Sequence, residues 1–379
     1  MDGEQQQVDT GFIVFNDRTY PNFIALLSEL GVAVQRSAMS FSVRNERSGL
    51  EYNGASLNTL FAQRRNLFRP AFLRMIREIL RFNREATALL TTKTELCLGD
   101  FLDAHRYSRE FRNDYLIPMG AAIWSTDPRR MLSFPALFFV RFLHNHGMLT
   151  LDKRPQWLAI SGGSARYVEK LVAPFRDRIR LHAPVQSVRR TPAGVLVKSF
   201  DSEAERYDCV FLACHADQAL SLLTDASGVE REVLGAIPYQ ANEAVMHTDT
   251  ALLPRKRLAW AAWNYHVLRG QGQGVALTYN MNILQNLKSR RTFCVTLNNT
   301  AQIEPRHIIK RMTYHHPLYT PASVAAQQRQ RELNGVNRTF FCGAYWRYGF
   351  HEDGVVSALA ALQHFKDMPH AQRDLSRVA

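Results

Sequence analysis

The pattern of apolar and polar positions predicts helices and strands along most of the chain, most clearly near its end. Residues 339–342 form a short apolar run that stops at Gly343, and apolar residues then recur at helical spacing over 355–365. This order predicts a strand, an aromatic loop and a helix that begins at 353–354. Because a helix N-terminus offers N–H groups and a glycine admits close approach, the junction suits an anion or a carbonyl group of a cofactor.

Three further blocks precede this junction. Residues 57–150 have apolar positions at helical spacing, which predicts a helical block that caps a substrate cavity. Residues 157–223 predict a strand, a Gly-Gly-Ser turn at 162–164, a helix, short strands that include 179–182, and a final helix. Residues 238–314 predict an antiparallel sheet along the cavity, with strands at 241–248, 258–265, 275–282 and 292–297. Five large side chains of this sheet are expected to line the cavity or to pack in the core: Trp260, Trp263, Tyr265, Tyr279 and Met281.

A helix predicted over residues 64–84 has two different faces. Its apolar face consists of Phe72, Ile76, Ile79 and Leu80. Its basic face consists of Arg74, Arg77, Arg81 and Arg84. Two interpretations stay open, a solvated surface helix and a helix that lies on an anionic membrane surface. The aromatic and basic interleaving of RNA-binding modules is absent, so we predict no nucleic-acid partner.

Composition and charge narrow the class of protein. The chain has 379 residues, of which 46% are hydrophobic and 21% are charged, and this is a globular composition with room for two domains. The net charge of +13 suggests an anionic neighbour. No apolar run is long enough to span a membrane, and the first residues do not resemble a signal peptide. We therefore predict a cytoplasmic protein, or one that is peripheral at the inner membrane face.

The metal-binding residue types do not form a recognisable site in the sequence. Five cysteines stand singly at 97, 209, 214, 294 and 342, and no CxxC pair exists. His144 and His146 have the spacing of a ligand pair but lack a nearby carboxylate, so a polar helix end is the favoured interpretation. We predict no metal site.

The last junction, R-T-F-F-C-G-A-Y-W-R-Y-G-F-H-E-D-G-V-V from residue 338, resembles the C-terminal flavin motif of the flavin-containing amine oxidase superfamily. The segment T-G-F-I-V-F-N-D-R-T-Y-P-N at 10–22 and the Gly-Gly-Ser turn are similar to those of the bacterial predicted NAD/FAD-binding proteins within it. The resemblance implies a non-covalently bound FAD. Many members have an acidic residue where this chain has Ala344.

The resemblance also implies which residues contact FAD. Gly343 and Asp353 would lie near its sugar-phosphate chain, and the backbone of Gly354, Val355 and Val356 would face the isoalloxazine ring. Earlier positions complete the implied set. The backbone of Val185 would contact the adenosine half, and Ala213, Cys214 and His215 would lie by the diphosphate. For His215, a helix start without a ligand is favoured over a catalytic role.

The implied fold class is α/β, with a Rossmann-like FAD-binding domain and an α+β substrate domain that contains the antiparallel sheet and the helical cap. We assign residues 1–15, 155–235 and 334–366 to the first domain, and 16–154 and 236–333 to the second. No G-x-G-x-x-G occurs in the sequence. We therefore expect a Rossmann-like domain that is incomplete at its N-terminal side.

Three functions stay open at this stage. The resemblance implies FAD-dependent oxidation or desaturation of a small apolar substrate such as a lipid or acyl chain. No lysine occurs in 236–255, where many amine oxidases have one, and Asn242 and Glu243 lie in the comparable region. No catalytic residue is assigned, because the flavin itself performs the redox step. The alternatives are a truncated, inactive relative that does not hold FAD, and a membrane-surface binding protein.

Overall fold

The structure is a computed structural model, and it describes residues 6–92, 95–150, 152, 154–270 and 274–368. Its strands, in chain order, are β1 (Val14–Asn16), β2 (Val34–Arg36), β3 (Phe41–Asn45), β4 (Leu50–Asn53), β5 (Trp157–Ile160), β6 (Val185–Thr191), β7 (Gly194–Ser199), β8 (Glu205–Tyr207), β9 (Val210–Leu212), β10 (Tyr239–His247), β11 (Trp263–Val267), β12 (Leu277–Asn280), β13 (Cys294–Leu297), β14 (Ile308–Pro317) and β15 (Thr339–Phe341).

The α-helices, in chain order, are α1 (Pro21–Glu29), α2 (Leu57–Leu60), α3 (Pro70–Glu85), α4 (Leu98–Ala104), α5 (Arg109–Phe111), α6 (Ile117–Trp124), α7 (Ala136–Asn145), α8 (Ala165–Val172), α9 (Ala216–Leu222), α10 (Gly228–Gly235), α11 (Met281–Leu284), α12 (Pro321–Gln327), α13 (Gln330–Leu333) and α14 (His351–Lys366). Within the described ranges, none of these helices has the length and apolarity needed to cross a bilayer. Strands and helices alternate along the chain, so the fold is mixed α/β, as the sequence predicts.

The chain divides into two compact units. The first unit comprises residues 1–170 and 240–316, and the second comprises 171–239 and 317–379. Every residue that the resemblance assigns to the cofactor lies in the second unit, whereas the helical block and the predicted sheet lie in the first. Each unit is described separately below.

The first unit contains a three-stranded sheet in the order β1-β5-β2 and a seven-stranded sheet in the order β14-β10-β13-β12-β11-β3-β4. The four strands predicted from 241 to 297 correspond to β10 to β13, and their mutual pairs are antiparallel, as predicted. The whole sheet is nevertheless mixed, because β11 pairs in parallel with β3, which joins residues 263–267 to residues 41–45. Only the end residues Tyr239 and Pro317 of this sheet lie outside the first unit.

Side-chain hydrogen bonds connect buried polar residues across five strands of this sheet. The Ser42 hydroxyl donates to the Asn264 side chain at 2.8 Å, and the Asn264 amide donates to the Thr278 carbonyl at 3.0 Å. The Thr278 and Thr296 hydroxyls are 2.8 Å apart, and Thr296 is 2.7 Å from Nε2 of His247. Each of these buried groups has a hydrogen-bond partner. This chain of hydrogen bonds therefore fixes the register of the strands without the cost of an unpaired polar group.

The predicted sheet strands differ from the observed ones in two places. The run 258–265 begins with a 3-10 turn at Arg257–Ala259, because the Trp260 indole donates to the Pro254 carbonyl at 2.8 Å and holds a turn before β11. The run 275–282 ends at Asn280, whose side chain accepts the Ile283 N–H and caps α11. In both cases a hydrogen bond between a side chain and the backbone limits the strand, at its start in β11 and at its end in β12.

The helix predicted over 64–84 is a 3-10 turn, Arg64–Phe68, followed by α3, because Pro70 favours the first position of a new helix. Its buried face also differs from the prediction: it consists of Phe72, Met75, Glu78 and Phe82. Leu80, which was predicted on the apolar face, is 43% exposed. Glu78 is held by the Ser108 backbone N–H and hydroxyl, which allows a carboxylate to stand on the buried face.

The second unit contains the antiparallel sheet β6-β7-β8 and the parallel pair β9 and β15. Its core includes Val188 and Val195 from the sheet, Leu212 and Phe341 from the pair, and Val233 from α10. The predicted strand at 179–182 does not form, because His182 takes a left-handed backbone conformation with φ of 57° that interrupts an extended run.

An ion-paired arginine links three elements of the second unit. The Arg190 side chain on β6 is 4% exposed and donates two hydrogen bonds to Glu230 of α10, at 2.7 and 2.8 Å. It also donates to Asp225 at 2.9 Å and to the Thr339 hydroxyl of β15 at 3.3 Å. A buried charge is tolerated here because the planar guanidinium meets two carboxylates.

Candidate cofactor site

The predicted junction near the end of the chain is present as strand β15, Gly343, a loop and α14. Because β15 runs parallel to β9, with Phe341 opposite Leu212, the carboxyl ends of both strands meet at one edge. Ala213 follows β9 and is exposed, and Gly343 follows β15. The Cys342 N–H donates to the Leu212 carbonyl at 3.1 Å, which fixes this edge. Two of the predicted site residues therefore lie side by side.

Gly343 is also connected to the start of α14 through a buried serine. The Gly343 N–H donates to the Ser357 hydroxyl at 2.8 Å, and that hydroxyl donates to the Gly354 carbonyl at 2.9 Å. Ser357 is 2% exposed. This residue was missed in the sequence, although its position four residues after Asp353 places it one helical turn further along α14.

Gly343 and Gly354 differ in the space around them. A Cβ on Gly343 would stand 2.4 Å from the Tyr345 ring, so glycine is required there by packing alone. A Cβ on Gly354 would meet no atom within 4 Å. Gly354, Val355 and Val356 are all partly exposed, so this side of α14 has room for a ligand that approaches the backbone closely.

The helix begins earlier than the sequence predicts. Its first residue is His351, and the Gly354 N–H already donates to the Phe350 carbonyl at 3.1 Å. The predicted start at 353–354 is therefore wrong by a little over half a turn, because Asp353 acts as the N3 residue of the cap and not as the first residue. Gly354 can offer space to a ligand, whereas N–H donors belong to the first turn of the helix.

Asp353 is 5% exposed and stabilises the loop before α14. One of its carboxylate oxygens accepts the N–H groups of Phe350 and Tyr348, at 3.0 and 3.2 Å, and Arg347 lies 3.5 Å from the other. Burial raises the pKa of Asp353 to about 6, although these hydrogen bonds and Arg347 oppose the rise. The Asp353 carboxyl group therefore fixes the backbone of the loop before α14 and also places a titratable group there.

Val185 lies in the three-stranded sheet, at the start of β6, and is 39% exposed. His215 is the N-cap residue of α9 and stacks on the Tyr239 ring, with centroids 4.5 Å apart. The Tyr239 hydroxyl accepts the Ala216 N–H at 3.1 Å, which anchors the loop after β9. His215 thus begins a helix, as predicted.

In the first unit, Trp263 and Tyr279 are partly exposed and face each other across β11 and β12, with ring centroids 5.3 Å apart. Tyr265 and Met281 are buried and serve as core residues. Trp263 and Tyr279, together with the partly exposed Trp260, are the members of the predicted lining that a ligand could reach.

Asn242 and Glu243 have structural partners. The Asn242 amide nitrogen is 2.9 Å from Nδ1 of His316, and its oxygen accepts the Asn298 amide at 2.7 Å. Glu243 accepts the Thr300 hydroxyl and lies 3.5 Å from Arg311. Both residues thus support the ends of strands.

The two histidines considered as a ligand pair have different environments. His144 is exposed, whereas His146 is buried and stacks on Phe142 with centroids 3.9 Å apart. Its Nδ1–H donates to the Phe142 carbonyl at 3.0 Å, and burial lowers the pKa of His146 to about 4. Among the described residues, no group of three metal-binding side chains is close enough to hold a metal ion.

Comparison with solved structures shows the same fold in several enzymes. Cyclohexylamine oxidase from Brevibacterium oxydans IH-35A is 13% identical, with a TM-score of 0.66 over 95% of this chain and 88% of that chain. The CLA-producing fatty acid isomerase from P. acnes is 12% identical, with a TM-score of 0.59 over 96% and 88%. Reduced UDP-galactopyranose mutase is 11% identical, with a TM-score of 0.64 over 97% and 87%. No curated protein matches the sequence.

The sequence itself matches the family model described as flavin containing amine oxidoreductase over residues 2–262. This match covers more than half of the chain. The structural likeness covers 95% of this chain and therefore reaches beyond the residues that the family model matches. The chain belongs to the flavin containing amine oxidoreductase family.

Proposed function

We propose that this protein is a FAD-dependent oxidoreductase that holds FAD non-covalently in its second unit and oxidises a small apolar substrate. The observation that carries the proposal is the open space beside Gly354, at a helix start joined through Ser357 to the end of a parallel strand. Family membership supports the choice of a flavin as the ligand.

The residues present fit such a cofactor. Ala213 and Gly343 stand at the shared strand edge, where ligands of α/β proteins commonly bind. The first turn of α14 has the partial positive charge of a helix N-terminus, which favours an electron-rich group. Gly354 leaves room for a flat ring against the helix, and Val355 and Val356 would offer it apolar contacts. FAD bound there would accept a hydride from the substrate.

The proposed substrate is apolar, such as an acyl chain. Trp263 and Tyr279 offer partly exposed aromatic surface, and Glu243 is partnered by Thr300 and Arg311. One structural neighbour is a fatty acid isomerase, which supports this class, whereas cyclohexylamine oxidase and putrescine oxidase are neighbours that support an amine. The absence of lysine from 236–255 leads us to prefer the acyl substrate.

The cofactor part is tested by purifying the protein and recording its visible absorption. We expect flavin bands at close to one FAD per chain, and release of all the flavin into the supernatant after acid precipitation. A colourless protein that takes up no added FAD would contradict the proposal, and flavin that stays in the precipitate would contradict non-covalent binding.

The substrate part is tested with the flavin-loaded protein under anaerobic conditions. Medium-chain fatty acids and cyclohexylamine are added separately, and bleaching of the flavin bands reports hydride transfer. We expect bleaching by the fatty acid only. Bleaching by the amine alone would contradict the acyl assignment and leave the cofactor assignment intact.

A further inference from the structure

The turn before α3 and the outer side of α3 present large apolar side chains to solvent. Phe68 is 86% exposed, Leu67 is 45% exposed, and Leu73 and Leu80 are each 43% exposed. We call the surface formed by the following residues the α3 surface: Leu67, Phe68, Leu73, Arg77, Leu80 and Arg84. Exposure of neighbouring large apolar side chains is typical of a surface with a binding partner.

The spacing along α3 places leucines and arginines on one stripe. Leu73, Arg77, Leu80 and Arg84 are separated by four, three and four residues, which is the spacing of a single helix side. Arg77 and Arg84 are exposed. The stripe therefore alternates an apolar side chain with a cation, and this stripe differs from the basic face that the sequence predicts.

The other two arginines of the predicted basic face are engaged within the first unit. Arg74 lies 2.9 Å from Glu110. Arg81 donates to the His105 carbonyl at 2.9 Å and stands 4.1 Å above the centre of the Tyr107 ring. These contacts orient α3, so its outer side is fixed as the mixed stripe.

The charge around the stripe is mainly positive. Residues 57–85 include seven arginines and two acidic residues, Glu78 and Glu85, so their net charge is 7 − 2 = +5. Glu78 is buried and bound to Ser108, and Glu85 pairs with Arg81 and accepts the Tyr107 hydroxyl. Both therefore have partners other than the arginines of the stripe. An anionic partner with an apolar interior complements both properties of this surface.

We propose that the α3 surface docks on an anionic lipid bilayer. Phe68, Leu73 and Leu80 enter the boundary between headgroups and acyl chains, and Arg77 and Arg84 contact lipid phosphates. The helix lies in the plane of the interface, because a helix of 16 residues with an arginine on each outer turn is too short and too charged to enter the bilayer core. This proposal goes beyond the oxidoreductase function and does not depend on it.

The test is co-sedimentation of the purified protein with vesicles. We expect binding to vesicles of equal parts phosphatidylglycerol and phosphatidylcholine, and weak binding to phosphatidylcholine alone. Arg77→Gln with Arg84→Gln should lower the partition coefficient by at least about tenfold, since each arginine contributes roughly fivefold at an anionic surface. Phe68→Ser with Leu73→Ser and Leu80→Ser should lower it by a similar factor.

Matched controls come from exposed residues of the second unit. Arg176→Gln with Arg178→Gln removes the same charge, and Leu181→Ser with Phe200→Ser removes apolar surface that is 77% and 62% exposed. Both controls should bind as the parent does, and unchanged circular dichroism verifies the fold of every variant. The proposal is overturned if the parent does not bind anionic vesicles, or if the α3 variants bind as well as the controls. Selective binding to a polynucleotide, or a dimer that only the α3 variants dissociate, would also overturn it.

Discussion

At the residue scale, the two glycines of the β15–α14 junction are explained by different physical causes. Gly343 is required by the Tyr345 ring, which stands where a Cβ would lie. Gly354 stands in open space, so no contact within the protein accounts for it. A ligand that approaches the helix backbone would account for it, which makes Gly354 the sharper probe of the proposed site.

We expect Gly354→Val to fold and to lose flavin, because the side chain would fill the space that the proposed ring occupies. Absorption after gel filtration measures the flavin content, and thermal unfolding measures the fold. Gly228→Val is the matched control, since Gly228 lies in the first turn of α10 and a Cβ there also meets no atom within 4 Å. Stoichiometric FAD in Gly354→Val would show that the flavin does not lie against this helix.

The buried carboxyl of Asp353 gives a prediction about pH. Its pKa of about 6 in the folded protein is above the usual 3.8, so the folded state holds a proton that the unfolded state releases. The stability that this group contributes is therefore present at low pH and decreases as pH rises through 6. Between pH 5 and pH 7.5 the decrease amounts to about 1 kcal/mol.

Asp353→Asn should remove that decrease, since an amide oxygen can still accept the N–H groups of Phe350 and Tyr348. Urea unfolding of the FAD-free protein at both pH values gives the comparison. We expect the change in unfolding free energy between the two pH values to differ by about 1 kcal/mol between parent and variant. An identical pH dependence would mean that Asp353 titrates normally.

The strand and the helix of this candidate site could be predicted from its residues. The order of apolar run, glycine, acidic residue and glycine carries enough local information to indicate the strand and the helix. Ser357 could not be recognised, because a serine inside a helix is common and its role depends on Gly343, which lies 14 residues away along the chain. The helix start is predicted too late because Phe350 and His351 are not residues that typically begin a helix. The role of Asp353 in the cap is recognised only from its hydrogen bond with the Phe350 N–H.

At the element scale, the buried Arg190 joins β6, α10 and β15 of the second unit. Removing it would leave Glu230, whose side chain is 3% exposed, without its main cation. We expect Arg190→Gln to lower the free energy of unfolding by about 3–5 kcal/mol, the usual cost of breaking a buried ion pair from one side.

Arg329→Gln is the control for this prediction. Arg329 pairs with Glu232 and Glu332 in a more exposed setting, where solvent screening makes an ion pair contribute much less than a buried one. Urea titration at one pH and salt concentration compares the two variants. Equal effects would mean that the Arg190 cluster is not the main connection among these elements.

Prediction of elements was most successful where the determining contacts were local. The antiparallel strands β10 to β13 follow one another in the sequence, and alternation with turn residues sufficed to identify them. The sequence does not predict the ten-residue strand β14. It lies at the edge of the sheet, and its residues include lysine, arginine and histidine, so the alternation of apolar and polar positions is weak. The parallel pairing of β3 with β11 has no local signal at all.

At the scale of the whole molecule, the first unit contains three buried histidines whose pKa values are lowered to about 4: His146, His247 and His266. Burial is the main cause in each case. For His247 the tautomer is also fixed, since Nδ1 accepts the Asp249 N–H at 3.1 Å and Nε2 then carries the proton toward Thr296. All three are neutral in the folded protein near pH 6.

Because unfolded histidine binds a proton near pH 6.5, acid favours the unfolded state, and the stability present above pH 6.5 is lost as pH falls toward 4. We expect about 2 kcal/mol of loss per histidine between pH 7 and pH 5. His247→Asn should reduce this pH dependence, because asparagine does not titrate, and its Oδ1 can still accept the Asp249 N–H. His144→Asn, at an exposed position, is the control for the substitution itself. Urea unfolding at the two pH values measures both, and equal slopes in parent and His247→Asn would contradict the assignment.

The parallel pair of β3 and β11 also has a consequence for synthesis on the ribosome. Strand β3 can form a hairpin with β4 as soon as both leave the exit tunnel, but its other edge faces β11, which begins 218 residues after β3 ends. At the usual rate of elongation, of about 5–20 residues per second, that edge waits on the order of 10–40 s for its partner. During that time the emerging chain presents an unpaired strand edge that can pair with a strand of another nascent chain. Folding on the ribosome therefore requires that this edge be shielded until β11 is made.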